Sequence, residues 1–262
     1  MTDSNLSRDE RNLEKEKMAF ERAILEPISE IPTDFDEDAT SLLVDDIVSG
    51  SVFALGEMHG VRENPNVIYT LIKKFGFRQL GLEWDKELQR VVDLFQNENA
   101  LDYNTIMNSC DGRITASYFN MLKRVKSEGL VDSIFFFDDK DSWNKRDEVM
   151  AEEIIGKTAN GVPTMVVAGS AHADLRDIRE GDGTLHPSMV KFLQNKGKNF
   201  SLGEIHYLSG QFFNNQVKEF KFVDGANEKK AKFYKNESGA YIYDLPVATV
   251  AVVPNPTGIY IG

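Results

Sequence analysis

The chain has 262 residues and a single cysteine, Cys110, so an internal disulfide is excluded and nothing calls for an oxidising compartment. No 18-residue apolar run and no basic-then-apolar leader is present, which sets the expectation of a cytoplasmic protein without a membrane partner. Positive charge is scarce. The 30 Lys and Arg stand against 42 Asp and Glu, a net of −12, the wrong sign for a nucleic-acid partner. Three motifs are missing as well: a Gly-x-Gly-x-x-Gly after a strand, a His-Glu-x-x-His, and the second glycine of a nucleophile elbow around Ser170. Their absence removes the usual signals of dinucleotide binding, zincin chemistry and serine hydrolysis. What is there, 41% apolar and 27% charged residues, is the composition of a globular protein able to bury a sizeable core.

The charge is unevenly spread. Residues 1–50 hold 14 acidic and 5 basic side chains, a net of −9 of the −12. The pattern Ser7-Arg8-Asp9-Glu10 followed by Met18, Phe20, Ile24, Leu25 and Ile28 predicts one amphipathic helix ending near Pro27. Residues 30–41 read as a loop, and Leu42 to Val48 as a short helix. From residue 51 the pattern changes. Ser51–Leu55, Arg78–Trp84, Ser133–Asp138, Thr164–Ala168 and Phe200–Tyr207 are short apolar runs separated by helix-length segments, two of which carry stripes of 3.6 period, Val67 to Phe75 and Leu88 to Phe95. The fold class expected is α/β, with a largely parallel sheet covered by helices on both faces. Beyond about residue 210 the helical period ends, and Gln216–Val223, Ala240–Tyr243 and Val247–Val253 suggest antiparallel strands. The expected organisation is an acidic helical extension over 1–50, an α/β core over 51–210, and a C-terminal β appendage of the same domain over 211–262.

In an open parallel sheet, ligands sit beyond the carboxyl ends of the strands, so the residues that terminate each run carry the functional information. The first run ends in Gly56-Glu57-Met58-His59-Gly60, the second in Glu83-Trp84-Asp85, the third in Asp138-Asp139, and the fourth in Gly169-Ser170-Ala171-His172. Carboxylates among glycines at buried strand ends are costly to desolvate unless paired, so a polar site built from them is the economical reading. The two Gly-x-x-His units are its sharpest feature, because imidazole works as base, acid or ligand near neutral pH. Arg146 and Met150 share a helix face, so if Met150 packs on the sheet, Arg146 points at the strand ends, toward Glu57, Glu83 or Asp138. Gly203-Glu204-Ile205-His206 repeats the Gly-Glu-x-His pattern as a further candidate, whereas His186 reads as a helix-start residue without chemistry.

Gly56-Glu57-Met58-His59, Leu82-Glu83, Arg146-Asp147-x-x-Met150-Ala151 and Val167-Ala168-Gly169-Ser170-Ala171-His172 resemble, in order and spacing, the signatures of the erythromycin esterase, ChaN-like and Tiki/TraB superfamily. The resemblance covers roughly residues 51–205. It implies an α/β domain with its site at the strand ends, on a scaffold used for macrolide ester hydrolysis, metal-dependent peptide cleavage and haem binding. One residue separates Glu57 from His59, as in the ChaN and Tiki branches, while Gly60-Val61-Arg62-Glu63-Asn64 is closer to the esterases.

Two functions are expected from this set. The first is a hydrolase of an ester or amide in a small molecule or peptide. There His59 is the general base, Glu57 orients it, His172 and Arg146 stabilise the oxyanion, and Glu83 and Asp138 complete the acid side. The second is a non-catalytic binding or sensor protein for haem, another tetrapyrrole or an anionic metabolite. A divalent metal would also suit the donors His59, His172 and Glu57, with Mn²⁺, Co²⁺ or Zn²⁺ as the ions such a mixed set favours. Arg146 competes with that metal for the same carboxylates, so direct pairing of Arg146 with Glu57 or Glu83 counts against it.

Overall fold

A computed structural model describes residues 8–106, 111–158, 161–179, 181, 183–220 and 230–254, and for 8–12, 140, 143 and 144 the backbone alone. Ser7 and Cys110 lie outside the described residues. The first half of the chain forms α1 (Arg8–Ile24), β1 (Thr33–Phe35), α2 (Glu37–Val48), β2 (Val52–Glu57), α3 (Asn64–Phe75), β3 (Gln79–Asp85), α4 (Leu88–Glu98), α5 (Tyr103–Ile106) and α6 (Ala116–Ser127). Then come β4 (Ser133–Asp138), a 3₁₀ turn over Lys140–Lys145, α7 (Arg146–Lys157), β5 (Thr164–Gly169), β6 (Ile178–Arg179), β7 (Leu185–His186), α8 (Met189–Asn195) and β8 (Phe200–Tyr207). The last strands are β9 (Gln211–Asn214), β10 (Gln216–Glu219), β11 (Ala231–Lys235) and β12 (Tyr241–Leu245).

Eight strands make one sheet in the order β1-β11-β12-β8-β2-β5-β3-β4. β12, β8, β2, β5, β3 and β4 run parallel, while β11 is antiparallel to β12 and β1 runs parallel to β11. β9 with β10, and β6 with β7, form two small antiparallel ribbons. Thus the first fifty residues and the last fifty each add strands to the central sheet.

Side chains alternate across each strand as the pleat requires. Phe53, Leu55, Phe136 and Val167 face a cluster that includes residues of α1, α2, α3, α4 and α6, while Val52, Ala54, Phe137 and Val166 face a second one with Met150, Ile154, Met189 and Leu193 of α7 and α8. Fully buried rings such as Phe53, Phe77, Phe119 and Phe137 each contribute roughly 1.5–3 kcal/mol by leaving water. The chain passes from β2 out to β3 and β4, then returns to insert β5 between β2 and β3. That reversal places crossover helices on opposite faces and gathers the carboxyl ends of these four strands along one edge of the sheet.

Three local expectations are corrected. Residues 30–41 are not all loop: Thr33–Phe35 pairs with β11, and α2 begins at Glu37 because the Asp36 carboxylate accepts from Ala39 N at 2.7 Å. Residues 247–253 form no strand, and their β-pairing is limited to the isolated bridges Val61 to Val250 and Gly210 to Ala248. His186 lies in β7, exposed, and α8 is instead capped by Ser188.

Candidate functional site

Each strand end presents its polar residue for a local reason. Beyond Glu57 the chain turns through His59 to Gly60, whose φ of 70° is in the left-handed region, and a Cβ there would stand 2.2 Å from Phe213 O, so only glycine fits. Asn64 Nδ2 donates to Met58 O at 2.8 Å and anchors that turn. In β3 one extra residue lies between Leu82 and Asp85 relative to β4, a register shift across Glu83 and Trp84, and such irregularities re-aim side chains beside functional sites. Asp138 ends β4, Arg146 opens α7, and His172 follows β5 in a turn closed by its N–H on Gly169 O at 2.9 Å.

These side chains meet. His59 Nδ1 lies 3.2 Å from Glu57 Oε1, and its Nε2 lies 4.0 Å from Glu83 Oε2. Glu83 Oε2 accepts from Gly169 N at 2.6 Å, while Oε1 accepts from Arg146 Nη2 and from Arg113 Nη1. Arg146 donates to Asp138 through Nε at 2.9 Å and Nη2 at 2.8 Å, a fork that matches the carboxylate. Its Nη1 reaches His172 Nε2 at 3.2 Å, a donor-to-acceptor contact when His172 carries its proton on Nδ1, and Asp147 Oδ1 lies 2.8 Å from that Nδ1. Glu57, Glu83 and Asp138 are buried, whereas His59 and His172 each keep 15% of their side-chain surface open to solvent. All six residues singled out at the strand ends therefore lie in one contact network.

Four of its members carry no signal in the strand-end pattern. Arg113 donates to Asp138, Glu83 and Asp111; Asp147 also accepts from Met189 N at 2.6 Å; Tyr118 donates its hydroxyl to Glu57 Oε2. Of these, Asp147 stands beside Arg146 in the motif Arg146-Asp147-x-x-Met150-Ala151, while Arg113, Asp111 and Tyr118 belong to no motif.

Charge is balanced unevenly among them. Burial lowers the proton affinity of His59, but the Glu57 hydrogen bond and the charges of Glu83, Glu57 and Asp111 outweigh it and carry its pKa upward. Burial also pulls His172 down, and the charge of Glu83 with the Asp147 hydrogen bond reverses that. Burial would raise Glu83, yet His172, His59, Arg146 and Arg113 hold it well below the usual carboxylate range. Glu83 is therefore an anion at neutral pH.

The remaining candidates lie elsewhere. His206 pairs with Glu204 at 3.0 Å and with Asp244 of β12 at 3.5 Å. Ser170 and Glu204 line a cleft of about 600 Å³, bounded also by Arg176, Leu202 and Tyr241.

The donor set does not fit a resident divalent cation. Arg146 pairs directly with Glu83 and Asp138, Arg113 fills the other approach to both carboxylates, and both oxygens of Glu57 are engaged by His59 and Tyr118. Among the described residues no group of three or more His, Cys, Asp and Glu is arranged to hold a metal, and no helix is long and apolar enough to cross a membrane.

No family model matches the chain, and no curated protein matches it. Solved structures do. A Bacillus cereus protein superposes with a TM-score of 0.61 at 10% identity, covering 92% of this chain and 99% of its own. A histidine-to-asparagine mutant of erythromycin esterase EreC, in its open conformation, gives 0.58 at 10% identity over 81% of this chain and 94% of the other. A succinoglycan biosynthesis protein gives 0.57 at 11% identity over 89% and 98%. The chain shares the fold of these proteins, erythromycin esterase included.

Proposed function

We propose that the protein is a hydrolase of an ester or amide bond in a small or medium-sized molecule, with water activated by His59 and no metal. The observation that carries this reading is the state of the His59 ring. Nδ1 is committed to Glu57, while the nearest described carboxylate oxygen to Nε2 is Glu83 Oε2 at 4.0 Å, too long for a hydrogen bond. A base held on one nitrogen and bare on the other is arranged to take a proton from a bound molecule.

Water attacks the carbonyl carbon as His59 Nε2 removes its proton, and the carbonyl oxygen becomes an oxyanion. Arg146 Nη1 bears a second hydrogen beyond the one directed at His172, and that N–H is the donor for the oxyanion. Collapse of the tetrahedral species breaks the bond to the leaving oxygen or nitrogen, which recovers the proton from His59. Glu83 and Asp138 act as anchors of Arg146 and Arg113, not as proton donors. The anionic-ligand alternative is less well supported, because both guanidiniums are already spread over carboxylates of the protein.

The test is hydrolysis of a panel of p-nitrophenyl esters and anilides by wild type and His59→Ala. The variant is expected to lose roughly 10²–10⁴-fold in kcat/KM. Wild-type turnover should survive chelation. Equal turnover by both proteins would remove His59 from the chemistry, and activity abolished by chelator and restored by a metal would overturn the metal-free route.

A further inference from the structure

Tyr118 sits on α6, far in sequence from the strand ends, and is 2% exposed. Its ring meets Trp84 edge-on at 5.7 Å, and the Trp84 indole N–H is itself pinned to Arg113 O at 3.1 Å. α6 is fixed at its start by Thr115, whose side chain caps Tyr118 N. The phenol therefore has one place to go, and its hydroxyl donates to Glu57 Oε2. Burial, with the charge of Glu57, pushes the phenol well above its usual pKa, so it stays a donor across the working pH range. Glu57 is 5% exposed and has two oxygens, one on His59 Nδ1 and the other on Tyr118.

We infer that Tyr118 is a positioning residue for His59: by fixing Glu57 it holds the imidazole proton on Nδ1 and keeps Nε2 bare. The inference takes its consequence for rate from the hydrolase reading above, but its geometry stands alone. Without the phenol, Glu57 Oε2 would be a buried acceptor with no donor, and the carboxylate would be free to turn about its broad terminal torsion. Its charge would also bear more fully on His59. The other ionisable groups facing this pair are Glu83 from β3 and Asp111 from the loop before α6, both toward His59, and Tyr207 from β8 and Glu83 toward Tyr118.

Tyr69 provides the control. It is also a buried tyrosine whose hydroxyl donates to a glutamate, Glu128 Oε2 at 2.7 Å, at the far end of α6. The experiment follows the ring nitrogens and Cε1–H of His59 by NMR, and the pH profile of kcat/KM on an activated ester. In Tyr118→Phe the Nε2–H tautomer should appear, and the His59 titration with the acid limb of kcat/KM should both move up by about 0.5–1 pH unit. Tyr69→Phe should move neither. Incorporation of 3-fluorotyrosine at 118, a stronger donor that keeps the packing, should move both down, which secures the test if Tyr118→Phe folds poorly. Wild-type tautomer and titration in Tyr118→Phe, or a loss of rate uniform in pH, would overturn the inference. The NMR changes without any wild-type ester hydrolysis would uphold the positioning and sink the hydrolase instead.

Discussion

Gly169 has no side chain because His59 occupies the space one would need: a Cβ there would lie 2.9 Å from His59 Nε2 and 3.5 Å from Glu83 Oε2. The last residue of β5 thus sets how deeply the base can sit. Gly169→Ala should displace the ring and lower kcat/KM by about 10–100-fold, since misplacement on the ångström scale is enough. The stability cost should be about 1–3 kcal/mol, because the ring must give ground against its hold on Glu57. Thermal denaturation beside ester turnover checks this, and unchanged turnover would detach Gly169 from the site. At this scale the sequence is informative where a strand end delivers the residue, or where a helix face shared with a core residue does, as Met150 does for Arg146. Glu57, His59, Glu83, Asp138 and His172 stand at run ends, where sheet topology itself brings them together. Tyr118 reaches the site from the first turn of an amphipathic helix, where it is indistinguishable from the core positions Phe119 and Leu122. Arg113 enters from a loop whose path depends on packing between Gly60, Gly112 and Phe213, residues too far apart in the chain for any local pattern to show.

Elements were legible where burial alone shapes them. The apolar run of β4 and the alternating run of β8 are found with their boundaries intact, because a strand buried in succession, or at every second position, writes its period into its residues. β1 carries no such period: three residues, Thr33–Phe35, are strand only because β11 from the far end of the chain supplies the ladder. The same principle of non-local pairing governs His206. It faces Asp244 because β8 and β12 align those two residues in register, and Glu204 is two positions back on the same face. The hydrogen bonds to Asp244 and Glu204 raise His206 to about 9. A raised folded-state pKa means that the stabilisation is full below the unfolded value and is lost as pH rises through about 9. The pair is substantially exposed, so salt should weaken it. NMR titration should place the His206 midpoint near 9, and Asp244→Asn should lower it; a midpoint at the ordinary histidine value in wild type would contradict the alignment.

On the scale of the whole molecule, the turn beside His59 is tied down by the chain's last described segment, which belongs to no strand. Ala251 N donates to Gly60 O at 2.9 Å, Arg62 N to Thr249 O at 2.9 Å, Thr249 N to Glu63 Oε2 at 2.8 Å, and Ala116 N to Val252 O at 3.0 Å. One short segment thereby ties the turn that carries His59 to the start of the helix that carries Tyr118. Phe213, Ala251 and Val253 bury a small apolar cluster beneath it, separate from the two clusters of the sheet. Because the sheet's core does not depend on that cluster, the site can be loosened while the fold persists. Ala251→Pro removes the donor to Gly60 O, and is expected to cost about 1–3 kcal/mol locally. The far-UV circular dichroism should keep its shape, the Arg62 amide should exchange at least about tenfold faster as local opening becomes easier, and kcat/KM should fall by about tenfold or more as the base loses its fixed position. Retention of both exchange protection and turnover would show that the sheet alone, and not the C-terminal segment, holds His59 in place.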